Sequence, residues 1–398
     1  MNETSDDDAL ILDVRDLSVD YVTEGKARAH ALEKVSFRLH KGEMLGVVGE
    51  SGCGKTTLML SLMRLLPAAG RIINGEVNFR GYDLLNLTEK AMADVRWKNI
   101  AMIFQGSMNA LNPVRTVGSQ IAEPIARHKM NTINGLLPLN GQATHHNGNG
   151  LVHGAGNGTR NGTVNGKSFN PTRTVGSQIA ESIRHHEEVT DKTVLQRRVD
   201  ELLDLVGINP NRRDQYPHQY SGGMRQRAMI AMALACFPDV IIADEPTTAL
   251  DVMVQAQILE LLSSLRQQLG LAVLFVTHDL GVVAEVCDAV LVMYGGIVAE
   301  YSDIDTIYNH PQHPYTQELL KAFPDLTQPH GKLSAIPGYP PRLDALPPGC
   351  RFAPRCPYAF ARCHQTPPKL YHLNGFHEAS CFLLEKSTTM TTNAENNE

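Results

Sequence analysis

The chain has 398 residues, of which 42% are hydrophobic and 20% are charged, a balance that is ordinary for a globular protein. Its formal net charge of −6 gives no indication of nucleic-acid binding. No apolar run approaches the roughly 18 residues that a membrane helix needs. The acidic start, MNETSDDDAL, has neither the basic nor the apolar part of a signal peptide. We therefore expect an intracellular protein that contacts any membrane through a partner.

The first predicted element with clear chemistry is an apolar strand, Met44–Val48, which leads into residues 49–57, GESGCGKTT, and then into a helical pattern. We call residues 49–57 the phosphate loop, because they fit G-x-x-x-x-G-K-[ST]. Their glycines allow backbone N–H groups to close around phosphate oxygens at a helix N-terminus. Lys55 can then contact the β- and γ-phosphates, and the Thr56 hydroxyl can ligate Mg²⁺. The alternative, a glycine-rich turn with an incidental lysine, is disfavoured by the strand–loop–helix context.

A near-duplication follows further along the chain. Residues 112–125, NPVRTVGSQIAEPI, return as residues 170–183, NPTRTVGSQIAESI. Residues 131–170, nearly all of which lie between the two copies, contain nine Asn and nine Gly. Because such a composition cannot bury enough apolar surface to offset chain entropy, we expect the insert, residues 126–170, to be disordered. The favoured interpretation is one duplicated helix start with filler between the copies; a regulatory or partner-binding role is the alternative.

A short run of small residues precedes the next predicted helix. Residues 220–227 read YSGGMRQR and lead into the apolar AMIAMALACF. Ser221, Gly222 and Gly223 can form a simple N-cap and turn. Their backbone N–H groups can equally bind an anion at the helix start.

Two further apolar strands end in polar residues that can serve phosphate chemistry. Val240–Ala243 ends in Asp244 and Glu245, where Asp244 would hold Mg²⁺ and Glu245 would orient or deprotonate a water. The alternative is an acidic pair that caps a helix. Leu271–Val276 ends in Thr277-His278. Since the carboxyl ends of parallel strands share one sheet edge, we expect His278 to contact the γ-phosphate.

Four of the seven cysteines lie close together near the C-terminus. Cys350, Cys356, Cys363 and Cys381 have the spacing C-x5-C-x6-C-x17-C, which does not fit the short C-x2-C pairs of zinc fingers. Four thiolates can hold a [4Fe–4S] cluster. Zinc is the second choice, and four free buried cysteines are the third.

Taken together, SGGMRQR (221–227) and DEPTTALD (244–251) after a phosphate loop resemble the ABC-transporter ATPase family, over about residues 11–385 apart from the repeat. The resemblance implies metal-assisted transfer of the γ-phosphoryl group to water, with each site completed by a second ATPase subunit. It implies that Glu245 is the catalytic base, that His278 is the switch histidine, and that Gln105 links Mg²⁺ and water to a membrane subunit. The implied Mg²⁺ ligands are Thr56, Gln105 and Asp244. The implied nucleotide contacts are Tyr21 (stacked on adenine), Gly49, Ser51, Gly52, Cys53, Gly54, Lys55, Thr56 and Thr57, with Ser221, Gly222, Gly223 and Asp251 acting across the dimer.

The C-terminal part is similar to that of the oligopeptide/dipeptide importer ATPases. The motifs are HPY (313–315), IPG (336–338) and GCRFAPRC (349–356). Members of that group are described with a [4Fe–4S] cluster at this cysteine pattern. The resemblance implies a peripheral protein on the cytoplasmic face of the membrane, with two permease subunits as partners and an extracellular binding protein as an indirect one. A nickel or sugar importer ATPase, or a soluble ABC ATPase outside transport, is the alternative.

The expected architecture is therefore α/β. It is a P-loop NTPase (RecA-like) ABC ATPase core with an antiparallel β subdomain and a helical subdomain, followed by a C-terminal extension that contains the four cysteines. The expected boundaries are an acidic tail at 1–10, the ATPase domain at 11–325 with its helical subdomain at about 106–235, the extension at 326–386, and a disordered tail at 387–398.

Overall fold

The structure is a computed structural model. It describes residues 9–25, 27–104, 111–128, 192–248, 250–322 and 336–385. Gln105, the second copy of the repeat, the insert from residue 129 onward, residues 1–8 and the C-terminal tail lie outside these residues. The sequence predictions made for those segments are therefore not addressed by the fold.

The described residues form twelve β-strands and ten α-helices. The strands are β1 Leu10–Tyr21, β2 Ala29–His40, β3 Met44–Val48, β4 Gly70–Phe79, β5 Tyr82–Asp83, β6 Ile100–Ile103, β7 Val240–Asp244, β8 Ala272–Val276, β9 Ala289–Tyr294, β10 Ile297–Asp303, β11 Tyr371–His372 and β12 Glu378–Ala379. The helices are α1 Lys55–Leu62, α2 Glu89–Val95, α3 Val117–Arg127, α4 Lys192–Leu205, α5 Gly222–Ala233, α6 Val252–Leu269, α7 Leu280–Val286, α8 Ile304–Asn309, α9 Pro314–Lys321 and α10 Ala361–Gln365.

The strands are arranged in two sheets. The smaller sheet is antiparallel with the order β2-β1-β4-β5. The larger has the order β11-β12-β10-β9-β3-β8-β7-β6, with parallel pairing from β9 to β6 and antiparallel pairing at β10, β12 and β11. Every residue of β3, β7 and β8 is buried, as expected for parallel strands covered on both faces. The predicted α/β class with a separate antiparallel sheet is confirmed.

Alternate residues of the parallel strands enter two different cores. In β3, Met44 and Val48 pack with apolar residues of α3, α4, α5 and α6. Leu45 and Val47 pack instead with the small antiparallel sheet and with α1. The large sheet is thus a central layer between a helical side and a β side. The predicted positions of the helical subdomain and of the domain boundaries stay predictions, although α3, α4 and α5 fall within the expected range.

The C-terminal extension, residues 336–385, contains little regular structure and is joined to the large sheet. Its strand β12 pairs with β10, with Glu300 opposite Ala379. The Glu300 side chain is fully buried and receives hydrogen bonds from backbone N–H groups of Gln312 and His313, while its Oε1 lies 2.8 Å from Nε2 of His377. A buried carboxylate with this many partners fixes the extension against the sheet. None of the helices in the described part of the chain is both long enough and apolar enough to cross a bilayer.

Candidate functional site

The phosphate loop leaves β3 and enters α1 through a sharply turned backbone. Gly49 and Gly54 have φ angles of +151° and +110°. A Cβ at Gly49 would lie 2.2 Å from the carbonyl oxygen of Met293, and one at Gly54 would lie 2.7 Å from that of Ala31. Both positions therefore require glycine for conformation and for space.

Lys55 is the first residue of α1, and its side chain turns back into the loop. The residue is 7% exposed, and its Nζ donates hydrogen bonds to the carbonyl oxygens of Gly49 (2.6 Å) and Glu50 (3.1 Å). The ammonium group is thereby held at the centre of the loop. From this position the ammonium group could neutralise the charge of a phosphate bound in the loop, and that role of Lys55 stays a prediction.

Asp244 ends β7 directly beside the strand that precedes His278. It is 4% exposed and is in register with Val276 of β8. Burial, together with the neighbouring charge of Glu245, raises the pKa of Asp244 to about 6, although Lys55 acts in the opposite direction. A buried carboxylate whose ionised form is disfavoured fits a Mg²⁺ site, because a divalent cation would stabilise that form. Thr56 is exposed in the first turn of α1 and offers the second predicted oxygen ligand.

Glu245 and His278 meet at the same sheet edge. Nδ1 of His278 lies 3.2 Å from Oε1 of Glu245, and the Thr248 hydroxyl donates to Oε2 of Glu245 at 2.9 Å. Burial alone would raise the pKa of Glu245, but the hydrogen bonds from Thr248 and His278 outweigh burial and lower it. Glu245 is therefore ionised and oriented, as a general base must be. Its φ of +45° is unusual for a residue other than glycine, and such backbone strain is frequent at functional sites.

Ser221, Gly222 and Gly223 start α5 beside the start of α6. The Ser221 Oγ accepts a hydrogen bond from the backbone N–H of Met224 at 3.3 Å, so the predicted N-cap is present. Asp251 caps α6 in the same way, accepting from Val254 N–H at 3.0 Å. A Cβ at Gly223 would lie 2.6 Å from Cγ1 of Val254, so the two helix starts are in close contact. Among the described residues, no hydrogen bond or ion pair joins this segment to the phosphate loop.

Tyr21 lies at the end of β1, next to the phosphate loop. Its hydroxyl is 3.4 Å from Oγ1 of Thr57. A cavity of about 490 Å³ lies beside it, lined on one side by Tyr21, Ala29, Ser51 and Gly52 and on the other side by residues 340–344 of the extension. The backbone N–H of His30 donates to the carbonyl oxygen of Leu343 at 2.9 Å and holds the two walls together. The sequence did not predict that residues 340–344 would line this cavity, because PPRLD carries no binding motif.

The four C-terminal cysteines are free and do not share one cluster, since Cys356 packs against the large core on the helical side of the sheet. Cys350 and Cys363 pack with Ala353 and Phe382, and the backbone N–H of Cys350 donates to the carbonyl oxygen of Cys363 at 2.7 Å. Cys381 packs against a neighbouring cluster around Tyr371. Burial raises the pKa of Cys350 and Cys356, and raises that of Cys381 to about 11. Across the described ranges, which include all four cysteines, no three His, Cys, Asp or Glu side chains are arranged to hold a metal ion. The geometry therefore does not support the predicted metal centre.

Comparisons with known proteins cover almost the whole chain. The family described as "ABC transporter" matches residues 32–248, and "Oligopeptide/dipeptide transporter, C-terminal region" matches residues 299–363. A protein of Sinorhizobium fredii named "Probable peptide ABC transporter ATP-binding protein" is 42% identical over 377 residues, covering 94% of this chain and 95% of its own. The dipeptide transport ATP-binding proteins of Bacillus subtilis and Escherichia coli are each 39% identical, covering 94% and 93% of this chain and 95% and 96% of their own.

Solved structures show the same fold at lower identity. A dimeric post-hydrolysis state of the ATP-binding cassette MJ0796, bound to ADP and Pi, has a TM-score of 0.53 at 21% identity and covers 74% of this chain and 99% of its own. The cbiO1 protein of Clostridium perfringens, from the transporter complex cbiONQ, also has a TM-score of 0.53, at 22% identity, and covers 76% of this chain and 92% of its own. The family predicted from the motifs is confirmed. The chain therefore belongs to the ABC transporter family of ATP-binding proteins, in the group that carries the oligopeptide/dipeptide transporter C-terminal region.

Proposed function

We propose that the protein hydrolyses ATP to power a peptide importer. The observation that carries this proposal is the assembly of Lys55, Asp244, Glu245 and His278 at the carboxyl edge of one parallel sheet, in a chain whose C-terminal region matches that of oligopeptide/dipeptide transporters. The relatives' names specify peptides and dipeptides, which favours this cargo over the nickel or sugar alternatives and over a soluble ABC ATPase outside transport.

The described residues supply the parts that phosphoryl transfer to water needs. Lys55 neutralises phosphate charge from inside the loop. Asp244 and Thr56 would hold Mg²⁺, which supplies further charge neutralisation when bound. Glu245, ionised and held by Thr248 and His278, accepts the proton of the attacking water. The role of Gln105 stays a prediction because that residue lies outside the described part of the chain.

We infer that a second ATPase subunit completes the site. Val252 and Met253 follow Asp251 directly and are 81% and 73% exposed. Exposed apolar side chains beside the two helix starts at Ser221 and Asp251 are typical of a surface that a partner covers. The partner is a second copy of this chain or a related ATPase. A dimer closed around two ATP molecules would do work on two permease subunits at the cytoplasmic face of the membrane, which in turn receive peptide from an extracellular binding protein.

The experiment for this function is copurification followed by an activity assay. The tagged full-length chain should copurify with membrane permease subunits. In proteoliposomes, ATP hydrolysis by that complex should increase when a short peptide and its binding protein are added outside. Failure to copurify with any membrane protein would favour the soluble alternative, whereas stimulation by nickel or a sugar and not by peptides would correct the cargo.

We also propose that the four cysteines bind a [4Fe–4S] cluster, with zinc as the alternative. Burial raises the pKa of three of these thiols, while neighbouring backbone N–H groups lower it: those of Phe352 and Ala353 at Cys350, of Tyr358 at Cys356 and of Leu383 at Cys381. N–H groups near sulfur favour thiolates, although the observed arrangement is not itself a metal site. Protein purified without oxygen should be brown and contain about four irons per chain. Stoichiometric zinc without iron would replace the cluster by a zinc site, and the absence of both metals would leave four free thiols.

A further inference from the structure

One ion pair joins the C-terminal extension directly to the phosphate loop. Arg355 Nη1 lies 2.5 Å from Oε2 of Glu50, and Arg355 Nη2 lies 2.9 Å from Oε1 of the same residue. Glu50 is the second residue of the loop, between Gly49 and Ser51. The contact is bidentate, which is the strongest and most directional geometry for an arginine and a carboxylate.

Arg355 is held in place by groups of the extension and of β9. Only 8% of the residue is exposed. Its Nε donates to the carbonyl oxygen of Pro337 at 2.8 Å, its Nη2 to that of Ile336 at 3.3 Å, and its Nη1 to the hydroxyl of Tyr294 at 3.1 Å. A guanidinium with three other fixed partners loses little further freedom when it binds Glu50, so it can hold that residue in one place.

Glu50 transmits this restraint to the groups that face the nucleotide. Its backbone N–H donates to the Tyr315 hydroxyl at 3.0 Å, and its carbonyl oxygen accepts from Lys55 Nζ at 3.1 Å. Tyr315 in turn packs against Tyr294, with ring centroids 4.6 Å apart. The side chain, amide and carbonyl of Glu50 are therefore all engaged, and the carbonyl belongs to the cage around the phosphate-binding lysine.

We propose that Arg355 is a positioning residue for nucleotide binding, which acts through Glu50 to hold the phosphate loop in the conformation that receives the β- and γ-phosphates. A glycine-rich loop without such a restraint would lose conformational entropy on binding nucleotide, which weakens affinity. The extension is thus a working part of the nucleotide site, although it lies about 300 residues away in sequence. The proposal rests on the ATP-binding function.

A second ion pair between the extension and the N-terminal part of the chain provides a matched control. Arg351 pairs with Glu33 of β2 and donates to the carbonyl oxygen of Gly295. Glu33 is outside the phosphate loop, and its side chain is 53% exposed. If Arg355 only anchored the extension, removal of the Glu33 carboxylate should affect nucleotide binding as much as removal of the Glu50 carboxylate.

The decisive variant is Glu50→Gln in the full-length chain. It removes the charge but leaves the hydrogen bonds of Arg355 to Pro337, Ile336 and Tyr294, so the extension keeps its other contacts. The dissociation constant for Mg²⁺-ADP, measured by calorimetry, should rise about tenfold, which corresponds to about 1.4 kcal/mol. In the assembled transporter the KM for ATP should rise by a similar factor, while kcat at saturating ATP should stay within about twofold of the wild type.

Four further variants separate positioning from anchoring: Glu33→Gln, Arg355→Lys, Arg355→Met, and the double variant Glu50→Gln/Arg355→Met. Glu33→Gln should leave both constants unchanged. Arg355→Lys, which keeps the charge but loses the bidentate contact, should give an intermediate effect. Glu50→Gln and Arg355→Met both remove the same contact. The double variant should therefore bind nucleotide no more weakly than whichever single variant binds it more weakly.

The outcomes are distinct. An unchanged dissociation constant in Glu50→Gln, an equal effect of Glu33→Gln, or additive single effects would overturn the proposal. If Arg355→Met does not fold, Glu50→Gln and Glu33→Gln still decide the question. Wild-type protein that binds no Mg²⁺-ADP would overturn the assigned ATPase function itself, whereas tight wild-type binding with an unaffected Glu50→Gln would overturn only the role of Arg355.

Discussion

Glu245 and His278 lie at the ends of the neighbouring strands β7 and β8, with Oε1 of Glu245 3.2 Å from Nδ1 of His278. Because the carboxyl is ionised, the imidazole donates its N–H to it, and the Thr248 hydroxyl holds the other oxygen. The pair therefore fixes both the charge and the direction of the carboxylate that we propose as the base.

The first prediction concerns His278. In His278→Ala, Glu245 loses one of the hydrogen bonds that lower its pKa, and the base is no longer oriented from that side. ATP hydrolysis by the assembled transporter should fall by about 10²-fold or more, and the acid limb of its pH–rate profile should move to higher pH. ATP binding should be retained. Thr248→Val, which removes the bond to the other oxygen, serves as the comparison; the assignment is wrong if His278→Ala hydrolyses ATP at the wild-type rate.

The second prediction uses the perturbed pKa of Asp244. The pKa of Asp244 in the folded state, about 6, lies above the ordinary value of 3.8. The contribution of protonated Asp244 to the stability of the fold is therefore fully present below about pH 4 and is lost as the pH rises through 6. Asp244→Asn stays neutral and should therefore be more stable than the wild type in the absence of nucleotide, with a Tm about 2–4 °C higher at pH 8 and a smaller difference at pH 5. Stabilisation by Mg²⁺-ATP should be lost in the same variant.

The Tm of each variant, measured by thermal unfolding between pH 5 and pH 8, checks this. Asp214→Asn is the control, because the side chain of Asp214 is 82% exposed. A difference between Asp244→Asn and wild type that shrinks toward high pH would contradict the prediction.

The third prediction concerns the contact between the starts of α5 and α6. In Gly223→Ala, the new Cβ would lie 2.6 Å from Cγ1 of Val254 and would push Ser221 and Asp251 apart. We expect ATP hydrolysis to fall and Tm to decrease by a few degrees, since overpacking commonly costs about 1–3 kcal/mol. Adding Val254→Ala, which removes the clashing methyl, should restore much of both. The close contact is unimportant if the double variant is as impaired as Gly223→Ala.

The fourth prediction tests the duplicated segment. In the first copy, the Thr116 side chain caps α3. The Gln120 side chain accepts a hydrogen bond from the backbone N–H of Asn112 and donates one to its carbonyl oxygen. The second copy, outside the described residues, offers the same TVGSQIAE at residues 174–181. Deleting residues 113–170 joins Asn112 to Pro171 and should keep these contacts.

Because loop closure entropy grows slowly with length, the deletion should leave Tm unchanged or slightly raised and transport-coupled ATPase activity intact. A deletion that assembles with its permease but no longer couples ATP to uptake would show that the insert has a regulatory or docking role.

Local patterns in the sequence were sufficient to predict much of the fold and to nominate the residues of the candidate site. Continuous apolar runs predicted β3, β7 and β8 within one residue, since strands buried on both faces need no alternation. The shared sheet edge then placed Asp244 near His278. The position of Arg355 against Glu50 could not be predicted, because contacts between distant segments depend on packing and leave no local pattern. The cysteine spacing likewise did not determine how the four side chains are arranged.

The central claim is that hydrolysis activated by Glu245 powers peptide import, and reconstituted transporter containing wild-type or Glu245→Gln chain tests it most directly. With peptide and binding protein outside the vesicles, the wild type should hydrolyse ATP and accumulate peptide together. Glu245→Gln should bind ATP with similar affinity, remain as a closed dimer, and lose both activities by at least about 10²-fold. Hydrolysis by Glu245→Gln within a few-fold of the wild type, or wild-type hydrolysis that peptide does not stimulate, would contradict the account.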